Sequence, residues 1–405
     1  MNIPNSSLPS KGALLQLLLA VLLSLSLSAC GDNNHGERRN LHLTRLSEKK
    51  PVKLAVVWSR AYGDSYFKGA QIAVDEANAA GGAAGHPIEL VHVNAFTTLE
   101  EGRQAVYSLS GDMSIAFALG LYKSEIAAGL VGLLQYYGLP VLTNANVDDI
   151  LKKQWTNGVF RGVNTSTRIG TVLYEECVRQ GIENVLVCYG NESYTESVAD
   201  VMISLLQDNS KISTQIYRMD ALSEELRFKL KEARDTSTLK NPKTAAVLLI
   251  NDSESVSELL PFLVSECGVE MVFTSNEIFL MDLESNESLS RQLDIPLFVV
   301  AEMADAALAE KASTPALSSM IAKFEKTHGH PPDIMAVYGY DQAGAVISAI
   351  REAGSAAPDN LTRALGAGSH EGLMQTYAFT DDGELKAPKM YLIDVTGGRV
   401  SISPR

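Results

Sequence analysis

The sequence predicts an α/β protein made of two doubly wound lobes with mostly parallel sheets. From Val52 onward, short apolar runs of strand length alternate with helical patterns, which is the order expected of parallel sheets covered by helices. The chain has 405 residues, more than one typical domain, so two domains are expected. An apolar fraction of 46% is sufficient to form a core in both.

The first 50 residues predict export and attachment to a membrane. Lys11 precedes a leucine-rich run at 13–29, which is short for a membrane span and ends in small residues, as a signal peptide does. The run closes on Leu27-Ser28-Ala29-Cys30, which resembles the lipobox of bacterial lipoproteins, where Cys30 becomes the lipidated first residue. An ordinary signal peptide that contains a cysteine is the alternative. Residues 31–50 are polar and lack periodicity, so we expect a tether that holds the protein at the cell envelope, facing the periplasm or the exterior.

The acidic composition and the cysteines restrict the partners. A net charge of −14 argues against nucleic acid and against anionic lipid surfaces. Cys177, Cys188 and Cys267 remain after the signal region. Their number is odd, and Cys177 and Cys188 are placed too far apart for disulfide geometry, so three buried thiols are expected. No Cys–His spacing indicates a metal site, and no motif indicates a cofactor.

Apolar periodicity divides the chain into elements. Strands are predicted at residues 52–58, 88–93, 115–119, 139–142, 159–161, 184–188, 212–217, 245–250, 271–274, 297–300, 375–379 and 389–395. Helices are predicted at 65–80, 100–109, 125–137, 167–179, 193–206, 223–234, 256–267, 315–327 and 337–353. Gly81-Gly82 stops the first helix, Pro315 opens the eighth after Thr314, and Asp381-Asp382-Gly383 forms the turn between the last two strands.

Residues 115–146 form the central strand–helix–strand unit of this pattern. Gly120 turns the chain out of the first strand, and Ser124 stands at the N-cap of the helix. In such right-handed crossover units, ligands bind outside the carboxyl ends of the strands. The loops Gly120–Ser124 and Thr143–Asn146 both lie at that edge. The first also presents a helix amino terminus, whose free N–H groups suit an anion, so we expect a small ligand that carries a carboxylate.

Breaks in the alternation predict where the chain passes between the lobes. The breaks fall after Phe160 and near Glu302, and a third crossing is expected near Thr376. The predicted division is a signal peptide at 1–29, a lipidated N-terminus and tether at 30–50, a first lobe at 51–163 and 302–376, and a second lobe at 164–301 and 377–405.

A series of short motifs runs through the chain in a fixed order. They are Tyr62-Gly63-Asp64, Phe67-Lys68-Gly69-Ala70, Asn78-Ala79-Ala80-Gly81-Gly82, Gly120-x-x-x-Ser124, Phe324-x-x-x-His328-Gly329-His330-Pro331-Pro332, Tyr338-Gly339-Tyr340-Asp341 and Phe379-x-x-x-Gly383-Glu384-Leu385. Together, from about Val52 to Val395, they resemble the type I periplasmic binding proteins, and most closely the branch that binds leucine, isoleucine and valine for ABC importers. The resemblance implies two α/β lobes joined by a three-strand hinge that closes on the ligand.

The resemblance also implies a set of ligand-binding residues. Ser124 falls where a serine and adjoining N–H groups hold the ligand α-carboxylate, and the loop that shares the carboxylate and ammonium falls on Asn144, Ala145 and Asn146. Tyr194 falls on the aromatic residue of the second lobe, Glu277 on the acid that pairs with the ligand ammonium, and Tyr62 on the side-chain pocket.

Departures from the family pattern leave the ligand open. A Thr or Ser hydroxyl is usual where Asn146 stands, and the first lobe's usual disulfide is absent, since Ala95 and Lys123 stand near those positions. Lys123 and Glu125 also place charges beside the first loop, so a polar or larger ligand fits as well. The structural alternatives are a plain N-cap for Ser124, a core aromatic for Tyr194 and a solvated loop acid for Glu277.

The sequence favours binding over catalysis. No G-x-S-x-G elbow surrounds Ser124, no histidine lies in a comparable loop, and no glycine-rich phosphate motif is present. The resemblance implies a monomeric, extracytoplasmic lipoprotein that captures an amino acid or similar small carboxylate and delivers it to an ABC permease in the inner membrane. The alternative is a ligand-sensing lipoprotein of the same fold that acts on a membrane partner.

We predict that Cys30→Ser releases the protein from membranes, because the lipobox cysteine is the attachment point for the lipid. Fractionation of cells into membrane and soluble protein, followed by immunodetection, measures this. A variant that still partitions with lipid would show that the lipobox interpretation is wrong.

Overall fold

A computed structural model describes residues 35–58, 64–94, 98–152, 158–219, 223–235, 242–250, 253–275, 295–301, 314–396 and 401–405. Its helices are α1 His35–Thr44, α2 Ser65–Ala79, α3 Leu99–Ser110, α4 Ser124–Tyr136, α5 Asp149–Lys152, α6 Ser166–Arg179, α7 Ser193–Asp208, α8 Glu224–Asp235, α9 Ser253–Cys267, α10 Pro315–His328, α11 Ile334–Ala353 and α12 Pro358–Ala367. Its strands are β1 Val52–Trp58, β2 Ile88–Asn94, β3 Ile115–Gly120, β4 Val141–Thr143, β5 Val159–Arg161, β6 Asn184–Tyr189, β7 Ser213–Arg218, β8 Thr244–Leu249, β9 Met271–Thr274, β10 Leu297–Ala301, β11 Ser369–Glu371, β12 Thr376–Ala378, β13 Tyr391–Asp394 and β14 Ser401–Pro404.

Two large sheets confirm the predicted fold class. The first has five parallel strands in the order β2-β1-β3-β4-β5. The second has seven strands in the order β14-β13-β10-β9-β8-β6-β7, parallel from β10 to β7 and antiparallel where β13 and β14 join it. β11 and β12 form a separate hairpin. In the described residues, no helix is both long and apolar enough to cross a bilayer.

Helices cover both faces of each sheet, as the alternation predicted. In the first lobe α2 and α11 pack on one face of the sheet, while α3 and α4 pack on the other. The axes of α2 and α11 approach so closely that a Cβ added at Gly69 would lie 1.8 Å from the carbonyl oxygen of Ala336, and one added at Gly339 would lie 1.9 Å from that of Tyr66. Glycine is therefore required at both contacts, because any side chain would push the helices apart.

The second lobe contains the three cysteines in its core. Cys177, Cys188 and Cys267 are buried, as predicted. Burial raises the pKa of the Cys177 and Cys188 thiols to about 12, so both are protonated at neutral pH.

The predicted tether contains a helix that is part of the fold, so that expectation is wrong for residues 35–50. The guanidinium of Arg39 in α1 is fully buried and donates to four backbone carbonyls. They belong to Ser110, Asp112, Ile115 and Tyr137, at donor–acceptor distances of 2.7–3.0 Å. Burial lowers the pKa of Arg39 to about 10, which leaves it charged at neutral pH. The polar composition concealed this helix, because it is joined to the lobe by a buried charge and by few apolar residues.

The third crossing between the lobes lies later than predicted. Phe379 and Leu385 are buried in the core of the first lobe, whereas Met390 is buried in the core of the second. The hairpin that follows Thr376 therefore packs on the first lobe, and the chain crosses between Leu385 and Met390. The crossing predicted near Glu302 lies outside the described residues, and the remaining lobe limits stay a prediction.

We predict that Arg39→Met lowers the free energy of unfolding by at least about 3 kcal/mol, because it leaves four buried carbonyl acceptors without their donor. Urea denaturation monitored by circular dichroism measures the change. The matched control is Arg38→Met on the adjacent, exposed position, which should change stability by no more than about 0.5 kcal/mol. Equal stability of the two variants would mean that α1 is not part of the folded unit.

Candidate functional site

The two candidate ligand loops lie side by side at the carboxyl edge of the first sheet. Gly120 at the end of β3 is in register with Thr143 at the end of β4. The backbone N–H of Asn144 donates to the Gly120 carbonyl at 2.9 Å, and the Thr143 hydroxyl donates to the Leu121 carbonyl at 2.7 Å. The two loops are therefore cross-linked, as expected for loops that share one ligand.

The first loop depends on a left-handed turn. Gly120 has φ 96° and Leu121 has φ 57°. A Cβ at Gly120 would lie 2.5 Å from the carbonyl oxygen of Val57, so a side chain is excluded there. This turn directs the chain into α4 with the helix amino terminus at the sheet edge.

Ser124 is the first residue of α4, not its N-cap as predicted. Lys123 occupies the N-cap position and makes no side-chain capping bond. The chain has already reached helical geometry at Ser124, so its hydroxyl lies beside the first turn and does not cap it. Ser124 is 4% exposed, and its hydroxyl has no hydrogen-bond partner among the described residues. The hydroxyl and the first N–H groups of α4 can therefore bind a small anion together.

The second loop is held by neighbouring elements. The Asn144 side chain accepts a hydrogen bond from Gln342 at 2.7 Å, and Asn146 donates to the Asn164 carbonyl at 2.8 Å. Ala145 is fully buried, and its N–H donates to the Thr143 hydroxyl at 3.2 Å. A ligand that took the Ala145 N–H would have to replace that long bond.

Arg161 positions this loop, and sequence reasoning missed it. Its guanidinium is fully buried at the end of β5. It donates to the Ala145 carbonyl, to the Val147 carbonyl at 2.9 Å and to the Glu384 carboxylate at 2.9 Å. Burial raises the pKa of Glu384, and the charge of Arg161 partly offsets this. The signal in the sequence was an arginine that ends the apolar strand Val159–Arg161.

An aromatic cluster joins the first loop to the core. Trp58 at the end of β1 stacks on Tyr66 with ring centroids 4.4 Å apart, and Tyr122 lies 4.9 Å from Trp58. The Tyr66 hydroxyl donates to Gln342 at 2.5 Å, and Gln342 in turn donates to Asn144. Burial raises the pKa of Tyr66 above its usual value, so this hydroxyl stays protonated. The side chain of Asn144 is therefore held in place by Gln342, which is itself held by the buried hydroxyl of Tyr66.

The second lobe brings the amino end of α7 toward the amino end of α4. Helices α4 and α7 are in contact, and Tyr194 in the first turn of α7 is 8% exposed. Glu192 stands at the N-cap of α7, where burial and the nearby Glu125 carboxylate raise its pKa while Lys123 lowers it. The amino ends of α4 and α7, which carry Ser124 and Tyr194, therefore lie near each other where the two lobes meet, beside three charged side chains.

Two predicted ligand residues, Tyr62 and Glu277, lie outside the described residues. The structure describes β9 as far as Ser275, which is buried just past the strand end. The described residues contain no group of three or more His, Cys, Asp or Glu side chains that could hold a metal ion.

Comparison with known proteins identifies the fold. Residues 58–216 match the family model described as periplasmic binding protein. The fold is that of a periplasmic binding protein. A solved ABC transporter substrate-binding protein from Desulfitobacterium hafniense, in complex with Leu, has a TM-score of 0.71 and 19% identity over 87% of this chain and 100% of its own. No curated protein matches the sequence.

Two further solved structures with a similar fold differ in their ligands. The branched-chain amino acid transporter substrate-binding protein LivJ from Streptococcus pneumoniae, in complex with isoleucine, has a TM-score of 0.67 and 18% identity over 88% of this chain and 99% of its own. A solute-binding protein from R. palustris, in complex with benzoate, has a TM-score of 0.67 and 15% identity over 87% of this chain and 96% of its own. At these identities the likeness shows the fold, and the ligand must be argued from the residues of this chain.

We predict that Tyr66→Phe lowers the free energy of unfolding by about 1–2 kcal/mol. The variant keeps the ring stacked on Trp58 but leaves the buried side-chain amide oxygen of Gln342 without its donor. Urea denaturation gives the value. Tyr107→Phe is the matched control, since Tyr107 is 67% exposed and should be neutral within about 0.5 kcal/mol. If both variants behave alike, the hydroxyl of Tyr66 does not support the loop.

Proposed function

We propose that this protein is an extracytoplasmic solute-binding lipoprotein that captures a small carboxylate ligand between its lobes and passes it to an ABC importer. An amino acid is the ligand we favour. Cys30 carries the lipid that holds the protein at the membrane, and the ligand residues are Tyr62, Ser124, Asn144, Ala145, Asn146, Tyr194 and Glu277. The chain performs no chemistry on the ligand.

The observation that carries this proposal is the amino end of α4. Ser124 is a buried residue whose hydroxyl makes no hydrogen bond with the described residues, and it stands at a helix end whose N–H groups and dipole favour negative charge. The left-handed turn at Gly120 and Leu121 fixes that helix end at the sheet edge. A carboxylate has the charge and size to bind there, and open α/β sheets in general bind ligands outside the carboxyl ends of their strands.

Closure of the second lobe completes the site. Tyr194 contributes from the first turn of α7. Glu277, which follows Met271–Thr274 in the sequence, contributes the carboxylate. Excluding water lowers the local dielectric constant and strengthens each charge-assisted hydrogen bond. The ligand favours the closed state only to the extent that its contacts there are better than those in the open state.

An aromatic carboxylate is the second candidate ligand. Trp58 and Tyr66 stack on each other in the core, and Tyr122, in the loop that would hold the carboxylate, packs against Trp58. The benzoate complex of the R. palustris protein shows that a neighbour with this fold binds an aromatic acid. Such a ligand has no ammonium and therefore does not need the carboxylate of Glu277.

A sensing role is the alternative to transport. The same closure can present a new surface to a membrane-bound receptor instead of a permease. A permease and an ATPase encoded beside this gene would favour transport, and a receptor or kinase would favour sensing.

We predict that Glu277→Gln weakens binding of the favoured amino acid by at least about a hundredfold, or roughly 2.8 kcal/mol, because the ligand ammonium loses its counter-charge in a closed site. A thermal-shift screen of free amino acids and benzoate first identifies the ligand, since a ligand at ~100 times its Kd adds roughly 2.7 kcal/mol of stability. Titration calorimetry then compares wild type and variant.

Ser124→Ala is the companion variant. It should weaken binding by less than Glu277→Gln, because the N–H groups of α4 still hold the carboxylate. Both variants should melt at the wild-type temperature without ligand. Undiminished amino-acid affinity in Glu277→Gln would overturn the amino-acid assignment, and selective stabilisation by benzoate would replace it with the aromatic acid.

A further inference from the structure

A groove with unpaired positive charges lies beside α1, at the opposite end of the first lobe from the ligand loops. Its volume is about 730 Å³. The lining comprises Arg38, Leu41, His42, Arg45, Leu46, Ser47, Lys50, Pro51, Lys53 and Ser114. It contains four Lys or Arg residues and no carboxylate, in a chain whose net charge is −14.

Three of the four cations are available to a partner. Lys53 is bonded to Asp112 at 2.8 Å. The side chains of Arg38, Arg45 and Lys50 are exposed and make no ion pair or hydrogen bond with the described residues. Leu41, which is 47% exposed, lies among them. The groove therefore combines unpaired positive charge with apolar surface.

Exposed aromatic residues lie next to the same helix. Tyr107 is 67% exposed and Tyr136 is 41% exposed. The ring of His35, at the start of α1, lies 5.6 Å from Tyr136 and 5.0 Å from Tyr137. Tyrosine is enriched at the level of lipid headgroups, where one end of the ring is apolar and the other is hydrated.

The helix α1 places this surface at the edge of the first sheet opposite the ligand loops and close in sequence to Cys30. Arg39 holds α1 to the carbonyls of Asp112 and Ile115, which stand at the amino end of β3, whereas Gly120 and the ligand loops stand at its carboxyl end. Residues 1–34 precede His35 and contain the predicted lipid attachment at Cys30. Four residues separate Cys30 from α1, and they can span no more than about 18 Å, even when extended.

We propose that the α1 face, defined as the groove together with Tyr107 and Tyr136, lies on the anionic lipid surface of a membrane. Arg38, Arg45 and Lys50 bind the phosphates of the headgroups, and Leu41 and the tyrosines enter the interfacial layer. The net charge of the whole chain argues against binding to anionic lipid. Salt screens charges that are more than a Debye length from the bilayer, however, so the lipid is attracted by the nearby cations of this groove.

This orientation turns the ligand cleft away from the bilayer that holds the chain. The α1 face and the ligand loops are at opposite ends of β3, so a lobe that lies on lipid by its α1 face holds the ligand loops on its far side. A partner that receives ligand from the cleft must then reach it from the side facing away from that bilayer.

The test is co-sedimentation with vesicles, using a chain that begins at Gly31 and so retains every described residue but carries no lipid. Vesicles contain either phosphatidylcholine alone or phosphatidylcholine with roughly 30% phosphatidylglycerol. We expect binding to the anionic vesicles only, reduced when salt is raised from about 0.1 M to about 1 M. The triple variant Arg38→Gln, Arg45→Gln and Lys50→Gln should bind on the order of a hundredfold more weakly.

The matched control is the triple variant Lys211→Gln, Lys326→Gln and Lys386→Gln. These lysines are exposed on other surfaces, and the change in net charge is the same. The control should bind as wild type does, and all forms should melt at one temperature. No preference of wild type for anionic vesicles would overturn the proposal, and so would an equal loss of binding in the two triple variants.

Discussion

The buried guanidinium of Arg161 is the interaction on which the candidate site depends. It lies at the end of β5, between the loop after β4 and the hairpin that follows β12. It donates to the carbonyls of Ala145 and Val147 in the loop and to the carboxylate of Glu384 in the hairpin. A buried cation is tolerated only when its donors are satisfied, so these three elements must keep their mutual positions. The chain enters the second lobe between Val163, which packs in the core of the first lobe, and Ile169, which packs in the core of the second, so Arg161 lies just before the first crossing.

The hydrogen bonds beside Arg161 connect the ligand loop to the crossings. Asn146 donates to the Asn164 carbonyl, and Asn164 donates to the Lys389 carbonyl at 2.9 Å, which joins the first crossing to the third. Gln375 donates to the Gly162 carbonyl at 3.1 Å in the same region. A ligand that engages the loop therefore contacts residues that are bonded to two of the segments joining the lobes. This is the physical route by which binding can bias closure, since a ligand shifts an equilibrium only through contacts that differ between its two states.

Periodicity in the sequence predicted the two parallel sheets, because strands buried on both faces give apolar runs that are easily recognised, as in β3 and β8. The adjacency of the two ligand loops followed from the topology of a single crossover unit. Contacts made by single buried polar residues could not be predicted. Arg39 holds a polar helix through backbone carbonyls, and Arg161 holds a loop in the same way. Neither leaves a periodic signal, because the acceptors belong to backbone of any sequence. The helix α4 begins one residue earlier than predicted, at Ser124 itself, because the left-handed conformations of Gly120 and Leu121 set where the helix begins.

The two ends of β3 therefore present opposite kinds of backbone group. At the amino end, carbonyls converge, and they bind the cation of Arg39. At the carboxyl end, the N–H groups of α4 are free, and they suit an anion. The same asymmetry follows from the right-handed crossover, because every helix of such a unit runs antiparallel to its strands and returns its carboxyl end to the amino edge of the sheet. The Tyr137 carbonyl, at the end of α4, is one of the four acceptors of Arg39 and shows this directly. The first lobe thus binds a cation of its own at one edge, and at the other edge it leaves the helix N–H groups where we propose that the ligand binds.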